Sequence, residues 1–298
     1  MAVFDTIAKN RLITGFIVAS LVLACIVLGG WWLLGFLLIF IAIVTKEYSV
    51  ILHNKGFFPF FKVMFVISVS MILVTASGYY KLVPLVLLLG TIGSFLAVLF
   101  RGRQPYIANV ATTILGFLIG WMLCHVWLIR QMGDETALFN LTVKQGLYFI
   151  VLIFFVILLT DIAAYFFGIR YGKHRLCPVI SPKKSVEGAV AGGVCAIAIG
   201  LVIGKLIGLS LYHAFTLSLI VTVMAQLGDL SESLIKRDAG VKDSGNSLPG
   251  HGGFLDRADS YLFSVPVAYY YIKYFILSGL TFSNITSFIM KVLYVIWG

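Results

Sequence analysis

The sequence predicts an all-α, polytopic integral membrane protein with about nine transmembrane helices and with its charged loops gathered on one side. Hydrophobic residues occupy 60% of the 298 positions, and the mean hydropathy is +1.03. Soluble domains are about 45–50% apolar, so a soluble α/β enzyme is excluded. Apolar runs of about 20 residues, the length that crosses a bilayer as a helix, recur along most of the chain.

Charged residues and Gly or Pro breaks divide the chain into nine predicted spans. Only Gly29 and Gly30 separate the first two spans, so this boundary is the least sharp. Residues 284–297 form a shorter apolar stretch, which we expect to lie in the membrane interface rather than to cross it. The spans are predicted at residues 12–29, 31–45, 63–78, 82–100, 107–129, 146–169, 188–208, 211–232 and 255–275.

The basic residues predict the orientation of these spans. Nine spans place the N-terminus and the loops 46–62, 101–106, 170–187 and 236–257 on one side, with 16 Lys and Arg residues against 6 on the other. Because cytoplasmic loops carry the excess of Lys and Arg, the first set is predicted to face the cytoplasm. The net charge of +10 therefore reflects membrane orientation, and we expect no nucleic-acid partner.

Acidic residues divide the chain into two predicted parts. Residues 1–145 contain four acids, all at or outside span ends, whereas eight acids lie between residues 161 and 259. We therefore expect residues 1–145 to form a scaffold of membrane helices. Residues 146–298 are predicted to form a catalytic membrane domain, with the cytoplasmic loops 170–187 and 236–257 carrying the chemistry.

The densest group of charges lies between residues 233 and 259, a segment that we call the charged island. It holds eight charged residues, although charged residues are only 11% of the chain. Charges close to lipid are costly, so such a concentration indicates a functional site.

A polar helical face lies at the start of the charged island. It holds residues spaced three or four apart in a predicted helix: Asp229, Glu232, Ser233 and Lys236. Since Asp229 follows a long apolar run, we expect a functional role for it.

A Gly-rich loop at 238–253 leads into the last predicted span. Glycines let backbone N–H groups approach anions, and the N-terminus of the following helix favours negative charge. Asp256 and Asp259 lie in the first turns of that helix and point to one side. In a phosphate-binding setting, carboxylates are the expected ligands of Mg²⁺. The nearby basic residues exceed what metal-bound acids need, which fits a polyanion such as a nucleoside triphosphate: Lys236, Arg237, Lys242 and Arg257.

A second polar cluster precedes the island. Asp161 lies deep in the sixth predicted span, on a helical face that also holds Ala164 or Tyr165 and Gly168, where small residues allow another helix to approach closely. The following loop contains Ser181-Pro182-Lys183-Lys184-Ser185 and Glu187. It is interpreted either as a simple helix-entry turn with orienting charges or as a second loop that contacts phosphate. We favour the second interpretation, with which a role for Ser185 as the cap of the following helix is compatible.

The segment from Ser233 to Asp259 resembles the motif of phosphatidate cytidylyltransferases, also called CDP-diacylglycerol synthases. It matches the pattern S-x-x-K-R-x4-K-D-x-G-x2-L-P-G-H-G-G-F-x-D-R-x-D. The upstream segments D-x-x-A-Y-x-x-G and S-P-K-K-S-x-E-G, at 161–168 and 181–188, are also similar to that family. The resemblance covers about residues 160–275. It implies an enzyme of a bacterial-type cytoplasmic membrane that joins CTP to phosphatidic acid and releases pyrophosphate for phospholipid biosynthesis, and it suggests a homodimer.

The residues and the resemblance together predict the roles in the site. No general base is required, because a phosphate nucleophile is already ionised near neutral pH; His251 is therefore given a supporting role. Mg²⁺ is the expected cofactor, with a second cation left open. The predicted metal ligands are Asp229, Asp256 and Asp259, with Asp161 less certain. The predicted catalytic or phosphate-binding residues are Lys236, Arg237, Arg257 and His251, and those that contact the nucleotide are Ser181, Lys183, Lys184, Lys242, Asp243, Gly252 and Gly253.

Two other functions compete with this interpretation. Another CTP-dependent membrane enzyme, such as a polyprenol or phytol kinase or an archaeal-lipid cytidylyltransferase, would use similar groups. A transporter would use Asp161 and Asp229 as an ion or proton relay, but it leaves the Gly-rich basic loop unexplained. A purely structural membrane protein fits less well still.

Overall fold

A computed structural model describes residues 18–138, 141–245, 247 and 252–280. The N-terminal part of the first predicted span, His251 and the stretch 284–297 lie outside the described residues. The helices are α1 (Val18–Leu28), α2 (Gly30–Asn54), α3 (Phe61–Ala76), α4 (Val83–Arg101), α5 (Tyr106–Arg130), α6 (Gly146–Tyr171), α7 (Val186–Leu206), α8 (Leu211–Asp238) and α9 (Leu255–Tyr271), with a short 3₁₀ turn (Tyr80–Leu82) before α4 and a π-helical turn (Ile272–Leu277) after α9.

The prediction of a helical membrane protein is confirmed, and each predicted span overlaps one of these helices. Within the described ranges, six helices are long and apolar enough to cross a bilayer: α2, α4 with its preceding 3₁₀ turn, α5, α6, α7 and α8. Helices α1 and α3 are apolar but shorter. Helix α9 begins with Asp256, Arg257 and Asp259, so its first turns are too polar to resemble an ordinary span.

Two short antiparallel hairpins depart from the purely helical prediction. Strands β1 (Glu135–Leu138) and β2 (Leu141–Lys144) join α5 to α6. Strands β3 (Arg175–Cys177) and β4 (Ser181–Ser185) pair with an irregular register between α6 and α7. Strands of three to five residues are too short to show the alternation of apolar and polar residues that identifies a strand in a sequence.

Glycines bring the helices of the C-terminal half into close contact. A Cβ at Gly188 would lie 2.6 Å from the Ala164 carbonyl oxygen, and one at Gly192 would lie 2.7 Å from the Thr160 carbonyl oxygen, so α7 packs directly against the α6 backbone. This confirms the predicted close approach at the Asp161 face. At Gly228, a Cβ would collide with the Asp259 carbonyl, so α8 and α9 also meet backbone to backbone. Such contacts favour helix association in lipid, where burial of apolar surface does not.

Three segments predicted to share one side do lie together. The Lys55 ammonium, just after α2, donates to Asp238 Oδ1 at the end of α8 over 2.9 Å. The Arg237 guanidinium donates through Nε to the carbonyl of Ile180, between β3 and β4, at 3.3 Å. The loops at 46–62, 170–187 and 236–257 are therefore gathered at one end of the helices.

Candidate active site

Three carboxylates from three helices approach one another at this end of the molecule. Asp161 comes from α6, Asp229 from α8 and Asp259 from α9. Asp229 is close enough to repel both of the other charges, and Asp161 also acts on Asp259. The contact of Gly228 with the Asp259 backbone accounts for part of this proximity, because it lets α8 and α9 meet just where both acids are attached.

The β3–β4 hairpin brings a cation to these carboxylates. The Lys184 ammonium forms a very short ion pair with Asp229 Oδ2, and both side chains are about one-third exposed or less. Ser233 Oγ donates to the other oxygen, Oδ1, at 3.5 Å. The structure thus joins the two clusters that the sequence places in separate loops, Asp161 with 181–187 and the charged island.

Arg237 fixes the position of the hairpin. Besides its bond to Ile180, its Nη1 donates to the Val241 carbonyl at 3.1 Å. One guanidinium therefore ties the β3–β4 turn to the loop that follows α8. In this geometry Arg237 is a positioning residue. Lys183, which the sequence also predicts to bind phosphate, is exposed.

Lys236 lies in a buried cluster of three charged residues. Its Nζ lies 2.6 Å from Asp256 Oδ1 and also forms an ion pair with Glu232, one helical turn earlier. The three residues are only 4–8% exposed. Removing charges from solvent is costly unless they are paired, and here the single ammonium offsets part of the charge of the two carboxylates. The sequence assigns Lys236 to phosphate and Asp256 to metal, whereas here each is a partner of the other.

Asp256 also holds the Gly-rich loop. Its Oδ2 accepts hydrogen bonds from the backbone N–H groups of Ser244, at 2.9 Å, and Gly253, at 2.7 Å. In return, Ser244 Oγ accepts a bond from the Asp256 N–H at 3.3 Å. Gly252 adopts a φ of +78°, and a Cβ there would lie 2.5 Å from Asp256 Oδ2. This glycine is therefore required for the loop to close on the carboxylate.

Glu47 of α2 is a buried acid that the sequence reasoning placed only at a span end. Its side chain accepts four hydrogen bonds: from Ser247 Oγ at 2.6 Å, Leu255 N at 2.9 Å, Phe254 N at 3.1 Å and Ser244 Oγ at 3.3 Å. The residue is 6% exposed. A carboxylate from the N-terminal half thus caps the first turn of α9, where the helix dipole favours negative charge. In the sequence, the available signal for such a role was an acidic residue close to a long apolar run.

Glu187 gives the loop before β3 a similar anchor. Its carboxylate accepts from the backbone N–H groups of Lys173, at 3.0 Å, and His174, at 3.2 Å, and lies 2.5 Å from His174 Nδ1. Ser185 accepts from Gly188 N at 3.2 Å, as predicted for the cap of α7. The hairpin that carries Lys184 is therefore fixed at both ends.

Four further predicted residues form no side-chain hydrogen bond or ion pair with another described residue. Lys242, Asp243 and Arg257 are exposed, and Ser181 is half-buried. Arg257 is close enough to act electrostatically on Asp161. The Gly253 N–H donates to the Asp256 carboxylate, and a Cβ added at Gly253 would lie 2.5 Å from Glu47 Oε2.

The donor set suits a hard divalent cation. Asp161, Asp229 and Asp259 offer carboxylate oxygens whose mutual repulsion a cation would relieve, and the Lys184 ammonium already supplies positive charge to one of them. The described residues contain no ready-formed group of three or more His, Cys, Asp or Glu ligands. The chemistry of the three carboxylates fits Mg²⁺, while a bound ion would require them to draw closer.

Comparison with known proteins shows the family of the chain. The model of the cytidylyltransferase family matches residues 9–275. A phosphatidate cytidylyltransferase of Synechocystis sp. is 33% identical over 283 residues, which is 88% of this chain and 96% of that protein. One from Staphylococcus saprophyticus is 48% identical over 128 residues, or 42% of this chain and 49% of that protein. The family match spans nearly all the described residues, including every carboxylate of the site, and the chain belongs to the cytidylyltransferase family.

Proposed function

We propose that the protein transfers a cytidylyl group from CTP to phosphatidic acid, giving CDP-diacylglycerol and pyrophosphate. The observation that carries the proposal is the meeting of Asp161, Asp229 and Asp259 with Lys184 at the end of the helices where the basic loops gather. Anionic and cationic groups side by side suit a metal-bound nucleotide. The relatives named phosphatidate cytidylyltransferase supply the substrate assignment.

In the proposed reaction, a phosphate oxygen of the lipid attacks the α-phosphorus of CTP. The new P–O bond forms as the bond between that phosphorus and the oxygen bridging to the β-phosphate breaks, and the electron pair leaves with pyrophosphate. The lipid phosphate is already anionic, so no proton has to be removed first. Such transfers depend on positioning and on charge neutralisation rather than on covalent help from the enzyme.

The residues divide between these two tasks. Lys183, Lys184, Lys242 and Arg257 would neutralise the nucleotide phosphates, and Ser181 and the N–H groups near Gly252 and Gly253 would contact them. Asp243 and His251 are assigned supporting places in the same loop. Arg237 would position the hairpin, while Lys236 and Asp256 would maintain the Gly-rich loop through their ion pair.

Asp161, Asp229 and Asp259 would hold Mg²⁺. Asp256, which the sequence also predicts as a metal ligand, would instead keep its contacts with Lys236 and two backbone N–H groups. When bound, the ion supplies positive charge to the phosphate oxygens and to the departing pyrophosphate. The ion pair of Lys184 with Asp229 supports this assignment, since it is the contact that an incoming cation and nucleotide would replace.

The proposal includes the topology and assembly of the enzyme. All nine helical segments would cross the bacterial-type cytoplasmic membrane, with the site facing the cytoplasm, where the basic loops are expected. The division into a scaffold at 1–145 and a catalytic part at 146–298 is kept, with Glu47 as the point where the first contributes to the second. A homodimer is the proposed assembly.

A double-label assay on the purified protein tests the reaction. CTP labelled at either the α- or the γ-phosphate is incubated with phosphatidic acid, with polyprenol or phytol, or with an archaeal ether lipid, each with and without Mg²⁺. We expect α-label in lipid only with phosphatidic acid and Mg²⁺, and loss of that transfer in Asp229→Asn. Incorporation of γ-label would instead identify a kinase. No labelled lipid from phosphatidic acid would refute the proposal.

A further inference from the structure

A cavity of about 270 Å³ lies apart from the carboxylates of the candidate site, between the loop that follows α2 and the α4–α5 connection. Its volume is slightly below the about 300–1,000 Å³ of typical small-molecule pockets, which suits a headgroup better than a nucleoside triphosphate. None of its lining residues belongs to the candidate active site. They are His53, Phe58, Pro59, Phe60, Arg101 and Arg103.

Buried side chains of α5 hold both walls of this cavity in place. Asn109, which is fully buried, accepts from the Phe58 N–H and donates to the Arg103 carbonyl, each at 2.7 Å. Thr113, also fully buried, accepts from the Phe60 N–H at 3.0 Å. Neither polar side chain faces solvent. The buried side chains of α5 therefore fix the backbone of the cavity walls.

The charges around the cavity are all basic. Arg101 and Arg103 are exposed, and among the described residues no carboxylate forms an ion pair with either. The Arg103 guanidinium lies 6.0 Å from the centre of the Phe58 ring, which restricts its orientation. His53 adds a third nitrogen-bearing side chain. Guanidinium groups with unused donors are suited to binding a phosphate.

The apolar surroundings indicate where such a phosphate comes from. Leu99, Phe100 and Ile107, next to the two arginines in sequence, are 73–86% exposed. Side chains of this kind on apolar helices contact lipid tails, so the two arginines lie at the ends of helices whose exposed surface suits acyl chains. Lys55, two residues beyond His53, bonds to Asp238, which puts the cavity on the same side as the candidate site.

We propose that this cavity binds the phosphate group of an anionic phospholipid, at a site separate from the reaction centre. Arg101 and Arg103 hold the phosphate, His53 and Phe58 close the sides, and the acyl chains lie along the apolar surface of α4 and α5. The proposal does not depend on the cytidylyl-transfer reaction, since none of its residues takes part in that chemistry.

Lipid counting by native mass spectrometry on the delipidated full-length protein tests this site. Phosphatidylglycerol is titrated into wild type, into Arg101→Gln/Arg103→Gln and into Lys81→Gln/Lys205→Gln. The last variant loses the same charge from exposed positions at helix ends that are predicted on the opposite side. We expect the arginine variant to lose one tightly bound lipid, with an affinity at least about tenfold weaker, because each charge-assisted bond contributes at least that factor. The lysine variant should bind as wild type does.

Two further arms identify the source of the phosphate and separate misfolding from lost binding. Phosphatidylcholine, whose phosphate is offset by a choline, should bind the site weakly in wild type. Binding of inorganic phosphate without phosphatidylglycerol would overturn the lipid assignment, and equal lipid binding by both double variants would overturn the site. Thermal unfolding checks the fold, and single Arg101→Gln, which breaks no described ion pair, should already reduce lipid affinity.

Discussion

Removal of the Glu47 carboxylate should disturb a reaction centre that lies about 200 positions away in sequence. Glu47 accepts four hydrogen bonds from the loop and first turn that precede Asp256 and Asp259. In Glu47→Ala, two serine hydroxyls can rotate toward other partners, but the backbone N–H groups of Phe254 and Leu255 cannot. We therefore expect the loop to separate from α2.

The magnitude follows from the donors left without a partner. Each buried N–H without an acceptor costs about 1–3 kcal/mol, and the lost interaction with the α9 dipole adds up to about 2 kcal/mol. With two such N–H groups, Glu47→Ala should therefore lose about 2–8 kcal/mol of unfolding free energy. Glu47→Gln keeps one acceptor oxygen but turns an amide N–H₂ toward donors, so about half of that loss is expected. Glu47→Asp keeps the charge but is one methylene too short, and should fall between Gln and wild type.

Activity should follow the same order. A displacement of about 1 Å in a reacting group is enough to reduce a rate about 100-fold. Because α9 carries Asp259, we expect kcat/KM for CTP to fall about 10- to 100-fold in Glu47→Gln, with a lower temperature of thermal unfolding. Asp134→Asn, at an exposed acid of the same half, is the matched control and should change neither quantity. Wild-type turnover and unfolding temperature in Glu47→Gln would refute the capping role.

Three other substitutions separate packing, internal pairing and chemistry. Gly228→Ala should reduce both thermal stability and cytidylyl transfer, because the added Cβ would collide with the Asp259 carbonyl. The control Gly35→Ala places its Cβ in open space and should be neutral or slightly stabilising. Equal behaviour of the two variants would contradict the close α8–α9 contact. Lys236→Met should lose about 3–5 kcal/mol of unfolding free energy, measured by chemical unfolding, because it leaves two buried carboxylates uncompensated. An unchanged unfolding midpoint would argue against the buried cluster. Asp259→Asn should reduce the transfer rate at least about 100-fold. Its thermal stability should not fall, because the substitution relieves repulsion from Asp229. Retained activity would remove Asp259 from the proposed metal ligands.

The positions of the helices could be predicted from the sequence because hydropathy is a local property. A segment such as 107–129 is apolar over the length of a bilayer, and the structure places α5 at Tyr106–Arg130. The same local rule gives a weaker signal for α9, whose first turns carry three charges, although the span predicted at 255–275 overlaps this helix. It also misses the hairpin at Arg175–Ser185, since its strands are shorter than any pattern that periodicity can detect.

The proximity of Lys184 to Asp229 could be anticipated only as a hypothesis. The sequence places both residues in polar segments on the same predicted side, and the α6–α7 and α8–α9 contacts then bring those segments together. The partner of Glu47 could not be anticipated, because 208 positions separate it from Leu255 and the contact depends on how α2 packs. A lone acid at a span end otherwise fits a headgroup-facing position equally well.

Composition cannot distinguish charges that neutralise one another from charges that remain for a ligand. Both kinds occur here within a few residues. Asp256 is bound by Lys236 and two backbone N–H groups. Asp259, one helical turn later, accepts from the Ser260 N–H and is close enough to Asp229 and Asp161 for their charges to repel its own. The first arrangement is satisfied without a ligand and stabilises the loop. The second is unfavourable without added positive charge, which is why we propose it as the place where a cation and a nucleotide bind. The neighbours of each acid, rather than its place in the motif, therefore decide which residues maintain the site and which carry the reaction.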